Sequence, residues 1–372
     1  MKFRRFIPLV LIAFCVNPAF AQLNNKIFED RMAVEEADSG RFFVGLNALG
    51  FLKNNEYTGT IIDGYTLFGY QFQPYVSYNI TKNVRIDAGG YFQKDFGNNS
   101  FSALAPVFSV KWRKKQYSVI FGNLEGSLNH RLIEPLFDFE RVLNNRLETG
   151  VQFQIQQEDL FLDTWIDWQY MQYWRDTKQE QLVAGLSAQK RILRIGRGDL
   201  SVPVQLLARH QGGQLDVAGL PIQTLFNTAL GLNWSQPMNG LLRQVTLNGF
   251  YVYDNDITNA RQAYKDGSGL YANATLSTKF GLDVMASYWN ANEFIGFEGG
   301  KIYPSVSYFD PSRTQPASQL MVFRFLYDYK VAEHLFLSLR YEPYFDLTNH
   351  TFQYSYGVYL NYRDRYLFHK KR

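Results

Sequence analysis

Residues 65–80 read "YTLFGYQFQPYVSYNI", and alternate positions divide them into two faces. Thr66, Phe68, Tyr70, Phe72, Pro74, Val76, Tyr78 and Ile80 form a bulky face. Tyr65, Leu67, Gly69, Gln71, Gln73, Tyr75, Ser77 and Asn79 form a mostly polar one. A period of two is the period of a β-strand. The run is also about three times the length of an ordinary soluble strand, so a conventional core would have to be unusually deep to receive its apolar face.

The same pattern recurs along the chain, at 41–52, 65–80, 83–95, 101–112, 115–124, 147–157, 160–174, 180–194, 199–210, 222–235, 241–254, 268–279, 280–290, 320–330, 333–346 and 351–363. In 320–330, for example, Met321, Phe323, Phe325, Tyr327 and Tyr329 alternate with Val322, Arg324, Leu326, Asp328 and Lys330. Sixteen is an even number, and the spacers alternate between short ones ("TK", "RK", "ED", "IGRG", "VA") and mostly longer ones (53–64, 125–146, 211–221, 255–267, 291–319). Short turns on one side and long loops on the other, with both termini at the short side, predict an all-β fold. It is a closed antiparallel transmembrane β-barrel of about sixteen strands with a range of 14–18, in which the apolar face meets lipid. Aromatic rings on the apolar parity gather toward strand ends, with Tyr78, Trp112, Tyr117, Trp234, Tyr329 and Tyr362 at the short turns. Tyr170, Trp174, Tyr251, Tyr253, Tyr288 and Tyr341 gather toward the long loops, as expected of two interfacial girdles. Pro74 and Pro106 fall inside strands, where each removes a ladder hydrogen bond, so bulges or local breaks are expected there.

At the N-terminus, Lys2, Arg4 and Arg5 precede the apolar run "FIPLVLIAF" and a small-residue site at Ala19 and Ala21, the pattern of a cleavable secretory signal peptide over 1–21. The mature chain then starts near Gln22 and has no cysteine, because Cys15 is the only one. Losing three basic residues leaves 35 Lys plus Arg against 34 Asp plus Glu, a balance that excludes nucleic acid as a partner. Residues 22–40 are polar and show no strand period, so a periplasmic N-terminal arm is expected there. The barrel follows over 41–368 and a basic tail over 369–372.

Taken together, the signal peptide, the alternating strands, the two spacer classes and the last strand "FQYSYGVYLNYRDRYLF" resemble a Gram-negative outer-membrane β-barrel of porin-like size, and the Tyr/Asn-rich style resembles Bacteroidota envelope proteins. The final aromatic of such barrels is usually the last residue, whereas Phe368 is followed by "HKKR". The resemblance implies residence in the outer membrane, contact with its lipid, and passage of small polar solutes. In sixteen-stranded general porins the third long loop folds inward, and here that loop is 125–146, "EGSLNHRLIEPLFDFERVLNNR". Folded the same way, it would place Arg131, Glu134, Asp138, Glu140 and Arg141 at a pore constriction.

The expected lumen face carries Arg85, Asp87, Asp95, Lys111, Asp163, Asp167, Arg209, Asp283, Arg324, Asp328, Arg340 and Glu342. Both signs are present in similar numbers, which predicts weak ion selectivity or a lumen filled with ion pairs. Passive diffusion is therefore the expected function, with no cofactor, no metal and no enzymatic activity. A non-conducting scaffold or secretion-machine barrel is the alternative. A lipid hydrolase built on Ser127, His130 and Glu134 is a further one, since those types supply a nucleophile, a base and an orienting group. On the expected register Phe325→Arg is costly, whereas Arg324→Ser is mild.

Overall fold

The computed structural model describes residues 25–213, 219–258 and 262–370; the expected signal peptide and mature start lie outside them. The strands are β1 (Arg41–Thr58), β2 (Asp63–Thr81), β3 (Val84–Asp95), β4 (Ala103–Lys114), β5 (Tyr117–Asn123), β6 (Thr149–Gln156), β7 (Leu160–Tyr170) and β8 (Gln181–Ile195). They continue as β9 (Gly198–Gln211), β10 (Gln223–Pro237), β11 (Leu242–Asp256), β12 (Asp266–Thr278), β13 (Leu282–Asn292), β14 (Ala317–Ala332), β15 (Leu335–Asp346) and β16 (Thr351–Lys370). Each pairs antiparallel with its sequence neighbours, and β1 pairs with β16, so the sheet closes without an edge. Closure satisfies every ladder group that lipid could not.

The faces follow the sequence period. In β14, Val322, Arg324 and Leu326 are buried while Phe325 and Tyr329 are exposed. In β16, Gln353, Ser355, Tyr359 and Asn361 are buried while Phe352, Tyr356, Val358 and Leu360 are exposed. Several details differ from expectation. β1 runs to Thr58, so its loop shrinks to 59–62 and Lys53 belongs to the wall. β16 continues past Phe368 to Lys370. Pro106 causes no register shift: it pairs with Gly90 in an unbroken ladder. Its nitrogen faces the same side as that of Phe108, which donates to Asn123 Oδ1 where β5 ends, so no partner strand is deprived of a hydrogen bond. At Pro74 the ladder to β3 does lapse, between Phe72↔Phe92 and Tyr75↔Gly89, and resumes in the same register.

A sixteen-stranded wall would ordinarily enclose water, and this one is filled by three segments. Residues 124–148 cross the lumen: Gln71 of β2 donates to Leu143 O at 2.8 Å, and Gln205 of β9 donates to Arg131 O at 2.8 Å. Residues 293–316 fold in beside them, tied by Asn227 donating to Ile295 O at 2.8 Å and Trp289 donating to Tyr303 O at 3.2 Å. The two loops brace each other, with Asp138 N–H on Glu298 O and Gly300 N–H on Glu134 O. Gly296 and Gly299 permit this, since a methyl group at either would collide with the Pro135 carbonyl. Residues 25–40, expected as a periplasmic arm, run up inside the barrel. Asn361 donates to Ile27 O at 2.7 Å, Arg85 donates to Ala33 O at 3.0 Å, and the Phe28 ring meets Phe139 and Tyr359 edge-on at 5.2 and 5.3 Å.

Candidate functional site in the lumen and at the outer rim

Where the two loops and the arm meet the wall, a polar cavity of about 80 Å³ remains, lined in part by Lys53, Glu134, Asp138, Glu140, Lys301 and Arg324. Its geometry is a network of paired charges. Glu140, at the start of the short helix α1 (Arg141–Asn144), accepts from Lys53 at 2.9 Å, Asn55 at 2.8 Å and Lys301 at 2.7 Å, and from the Tyr65 hydroxyl. Lys301 also reaches Asp138 at 2.5 Å. Glu134 accepts from Arg324 at 2.5 Å, Tyr271 at 2.8 Å and Tyr303 at 2.7 Å, while Glu342 lies 3.6 Å from Arg324. Arg340 lies 3.9 Å over the Phe139 ring and donates to Asn25. Glu140 and Glu134 repay their desolvation because each also accepts hydrogen bonds from neutral side chains.

Of the loop residues expected at a constriction, Glu134, Asp138 and Glu140 come together here. Arg131 and Arg141 do not: the first stacks 3.7 Å over Phe161 and the second pairs with Glu298. Among the wall residues, Arg324, Arg340 and Glu342 join the cavity. Arg85 and Asp87 form a bidentate pair at 2.6 and 2.8 Å toward the short turns, and Lys111 pairs with Glu125. Asp167 accepts from Thr149 N–H at 2.8 Å, Arg209 lies 5.0 Å over Phe297, and Asp328 accepts from Ser338 at 2.5 Å. Asp95 accepts from Gln93 at 3.2 Å, and Asp283 lies 4.0 Å from Arg243. Lys53, Lys301 and Tyr303 escape a reading that assigns 53–64 and 291–319 to external loops, and Tyr65 and Tyr271, inside the expected strands 65–80 and 268–279, escape one that singles out only charged lumen residues. The alternation of Leu49, Phe51, Lys53 and Asn55 was the available signal for the first of them.

Ser127, His130 and Glu134 do not assemble into a triad. His130 is buried with Nε2 2.7 Å from Glu148 and Nδ1 2.9 Å from Asp163, and its ring stacks on Trp165 at 3.5 Å. Each ring nitrogen faces a carboxylate, so each carries a proton. Burial opposes that charge, but Glu148 and Asp163 outweigh it and hold the imidazole up at about 9. Ser127 contributes its backbone N–H to Glu148 at 2.8 Å, and Glu134 is engaged in the cavity. An imidazolium clamped on two sides is a cross-brace for the loop, not a base.

A different histidine occupies the outer wall. His210 and Thr224 are cross-strand partners at the long-loop ends of β9 and β10, on the face opposite Arg209, with Nδ1 2.8 Å from Oγ1. Thr224 is itself held, its N–H donating to Thr258 Oγ1 at 2.9 Å, and Thr258 donates to Asp256 at 2.7 Å. No hydrogen bond engages His210 Nε2 among the described residues.

A family model described as lipid A 3'-O-deacylase-type matches residues 34–371. The chain belongs to that family. The expectation that it is no enzyme is thereby overturned, because the family is one of enzymes. No curated protein matches the chain. Among solved structures it resembles the outer membrane protein OprD from Pseudomonas aeruginosa, at 12% identity over 92% of this chain and 100% of that one, with a TM-score of 0.52. It also resembles a loop-deletion mutant of OmpT from Vibrio cholerae (10% identity, 87% and 100% coverage, TM-score 0.52) and a BenF-like porin from Pseudomonas fluorescens Pf-5 (10% identity, 88% and 100% coverage, TM-score 0.52). These likenesses establish a porin-like outer-membrane β-barrel fold for this family member.

Proposed function

We propose that this barrel is an outer-membrane hydrolase that releases ester-linked acyl chains from an envelope glycolipid of the lipid A class. The observation that carries the reading is the filled lumen. A wall wide enough to conduct is filled by three interlocked segments, which favours its lipid-facing exterior and outer rim as the working surfaces. Family membership supplies the reaction class.

His210 is the base in this reading. Thr224 on Nδ1 fixes the ring and its tautomer, and Nε2 takes a proton from water as the oxygen attacks the ester carbonyl. The same proton then passes to the departing alkoxide as the acyl bond breaks. In this reading the ester of an outer-leaflet glycolipid is presented at the pair, which lies nearer the long loops than Tyr253 of the strand beside β10.

The test uses the full folded chain reconstituted with purified lipid A, with released fatty acid read by mass spectrometry. We expect release by the native chain and a loss of about a hundredfold or more in His210→Gln, with the barrel's heat-modifiable mobility unchanged. A channel for small polar solutes is the second reading, favoured by the charge-balanced polar cavity. It predicts single-channel currents in a planar bilayer that grow on deleting 128–143 and turn toward anions when Glu134, Asp138 and Glu140 become Gln, Asn and Gln. A chain that conducts and releases no fatty acid overturns the hydrolase reading.

A further inference from the structure

On β11 and β12 the rings of Phe250 and Tyr271 are buried toward the lumen, and the outward positions beside them are small. Gly249 stands opposite Leu232 on one side and Ala272 on the other, and Ala272 stands opposite Tyr288. The result is an open depression of about 540 Å³ in the lipid-facing wall, with Gly249 and Ala272 at its floor and Leu230, Tyr251 and Leu270 at its rim. Those three rim side chains are each more than half exposed.

An outward glycine does not by itself leave a hollow. At Gly90, which also faces outward, the Phe92 ring lies 2.9 Å from where a methyl group would stand and covers the gap. At Gly249 nothing lies within 4 Å of that point, although Tyr251 is the next outward residue on the same strand. A void in a wall forfeits dispersion contacts unless something from outside fills it, and on this face of an outer-membrane barrel the filler is hydrocarbon.

The depression also lies at a definite depth. Thr224 and Leu230 share the outward face of β10 six residues apart, about 20 Å at roughly 3.3 Å each, and a strand tilt of about 40° turns this into about 15 Å of depth. That is half of a hydrocarbon core of about 30 Å. A chain whose ester stands at His210 and Thr224 therefore reaches the near rim after crossing one leaflet, and only a longer chain enters the hollow.

We infer that this depression seats the methyl end of one acyl chain of an outer-leaflet glycolipid and so sets the chain length the barrel prefers. The inference rests on the hydrolase reading for the ester end of the chain and on the wall alone for the seat.

The test is native mass spectrometry of the full folded chain, released from detergent with an equimolar mixture of two lipid A species that differ only in their ester-linked chains, decanoyl in one and palmitoyl in the other. The native chain should retain the palmitoyl species about fivefold over the decanoyl one, a modest ratio because the chain leaves hydrocarbon rather than water. Gly249→Phe fills open space at a strand position without a left-handed φ and should bring the ratio to about one, with heat-modifiable mobility unchanged. Ala272→Phe serves should that variant fail to fold. A native ratio near one, or a preference that survives in a folded variant, overturns the inference. Fatty-acid release from the same two lipids separates it from the hydrolase reading: release that follows the retention ratio supports both, and selective retention without release keeps the seat and removes the hydrolase.

Discussion

The wall and the filling of this barrel are made by opposite means. Along the wall each residue's backbone pairs with a neighbouring strand, apolar side chains meet lipid, and the identity of any one outward residue matters little so long as it is greasy. The filling has little regular structure: 3-10 turns at Glu36–Asp38 and Ser127–His130, the short helix α1, one bridge between Val306 and Thr314, and otherwise irregular backbone. It is held by a few buried charged residues that each satisfy two or three partners. Stability in the wall is spread out, and in the filling it is concentrated, so single substitutions should separate the two.

The largest effect is expected at His130. His130→Leu leaves Glu148 and Asp163 buried without their shared cation, a loss of about 3–5 kcal/mol. It should appear as rapid amide exchange and protease sensitivity across 125–146 while the β-type spectrum persists. Survival of loop protection in that variant would mean the brace is dispensable. The same residue gives the filling a pH dependence. Its folded value, about 9, lies above the ordinary 6.5, so the stability it contributes is fully present below 6.5 and is lost as pH rises through about 9. Loop protection should therefore fall between neutral and alkaline pH while the wall stays intact.

Arg324 comes next. On parity alone Arg324→Ser is mild, because a lumen-facing arginine in water loses little. The structure corrects this: Arg324 is buried against Glu134 and Glu342, and removing it strands the first of these. About 3 kcal/mol is expected, at the lower end for a broken buried pair because Tyr271 and Tyr303 still donate to Glu134. Its neighbour tests the wall. Phe325 faces lipid and stacks on Tyr341 at 6.2 Å, so Phe325→Arg should cost about 2–4 kcal/mol near the midplane, read as a lower melting temperature of the whole barrel with no selective exposure of the loops. A variant that loosened the loops first would show that the wall and filling are not separable units.

What could be read from sequence follows the same division. The period-2 alternation located every strand because lipid outside and water or polar filling inside impose it over the whole membrane-spanning length. It failed where lipid stops. Beyond Leu52, β1 overshoots the membrane with Asn54, Glu56 and Thr58 outward, so the greasy face vanishes although the ladder continues to Thr58. The filling left weaker traces. Loop 125–146 stood out by its charge, but 293–316 has no pattern, and its inward path depends on Gly296 and Gly299 approaching the Pro135 carbonyl. Glu148, the partner that disables His130 as a base, lies eighteen residues from it, and Asp163 lies on another strand. The His210–Thr224 pair needs the register across the 212–222 connection, which periodicity does not provide.

The smallest effect sharpens the comparison most simply, because it sets two ion pairs of equal length in different degrees of burial. Lys190 and Asp159, at a short turn of the wall, form an ion pair at 2.5 Å, the same separation as Lys301 and Asp138 in the filling. The outer pair is about half exposed on each side, at 52% and 43%, whereas the inner one is at 11% and 15%. Water screens the first and competes for its hydrogen bonds, and the long lysine side chain loses entropy to hold it. Lys190→Gln should therefore leave the melting temperature and the loop exchange rates unchanged within measurement. Lys301→Gln deprives Asp138 and Glu140 of a shared buried cation and should open the loops selectively. If the two substitutions behaved alike, distance rather than burial would govern these pairs, and the division between a wall of distributed stability and a filling of concentrated stability would fall with it.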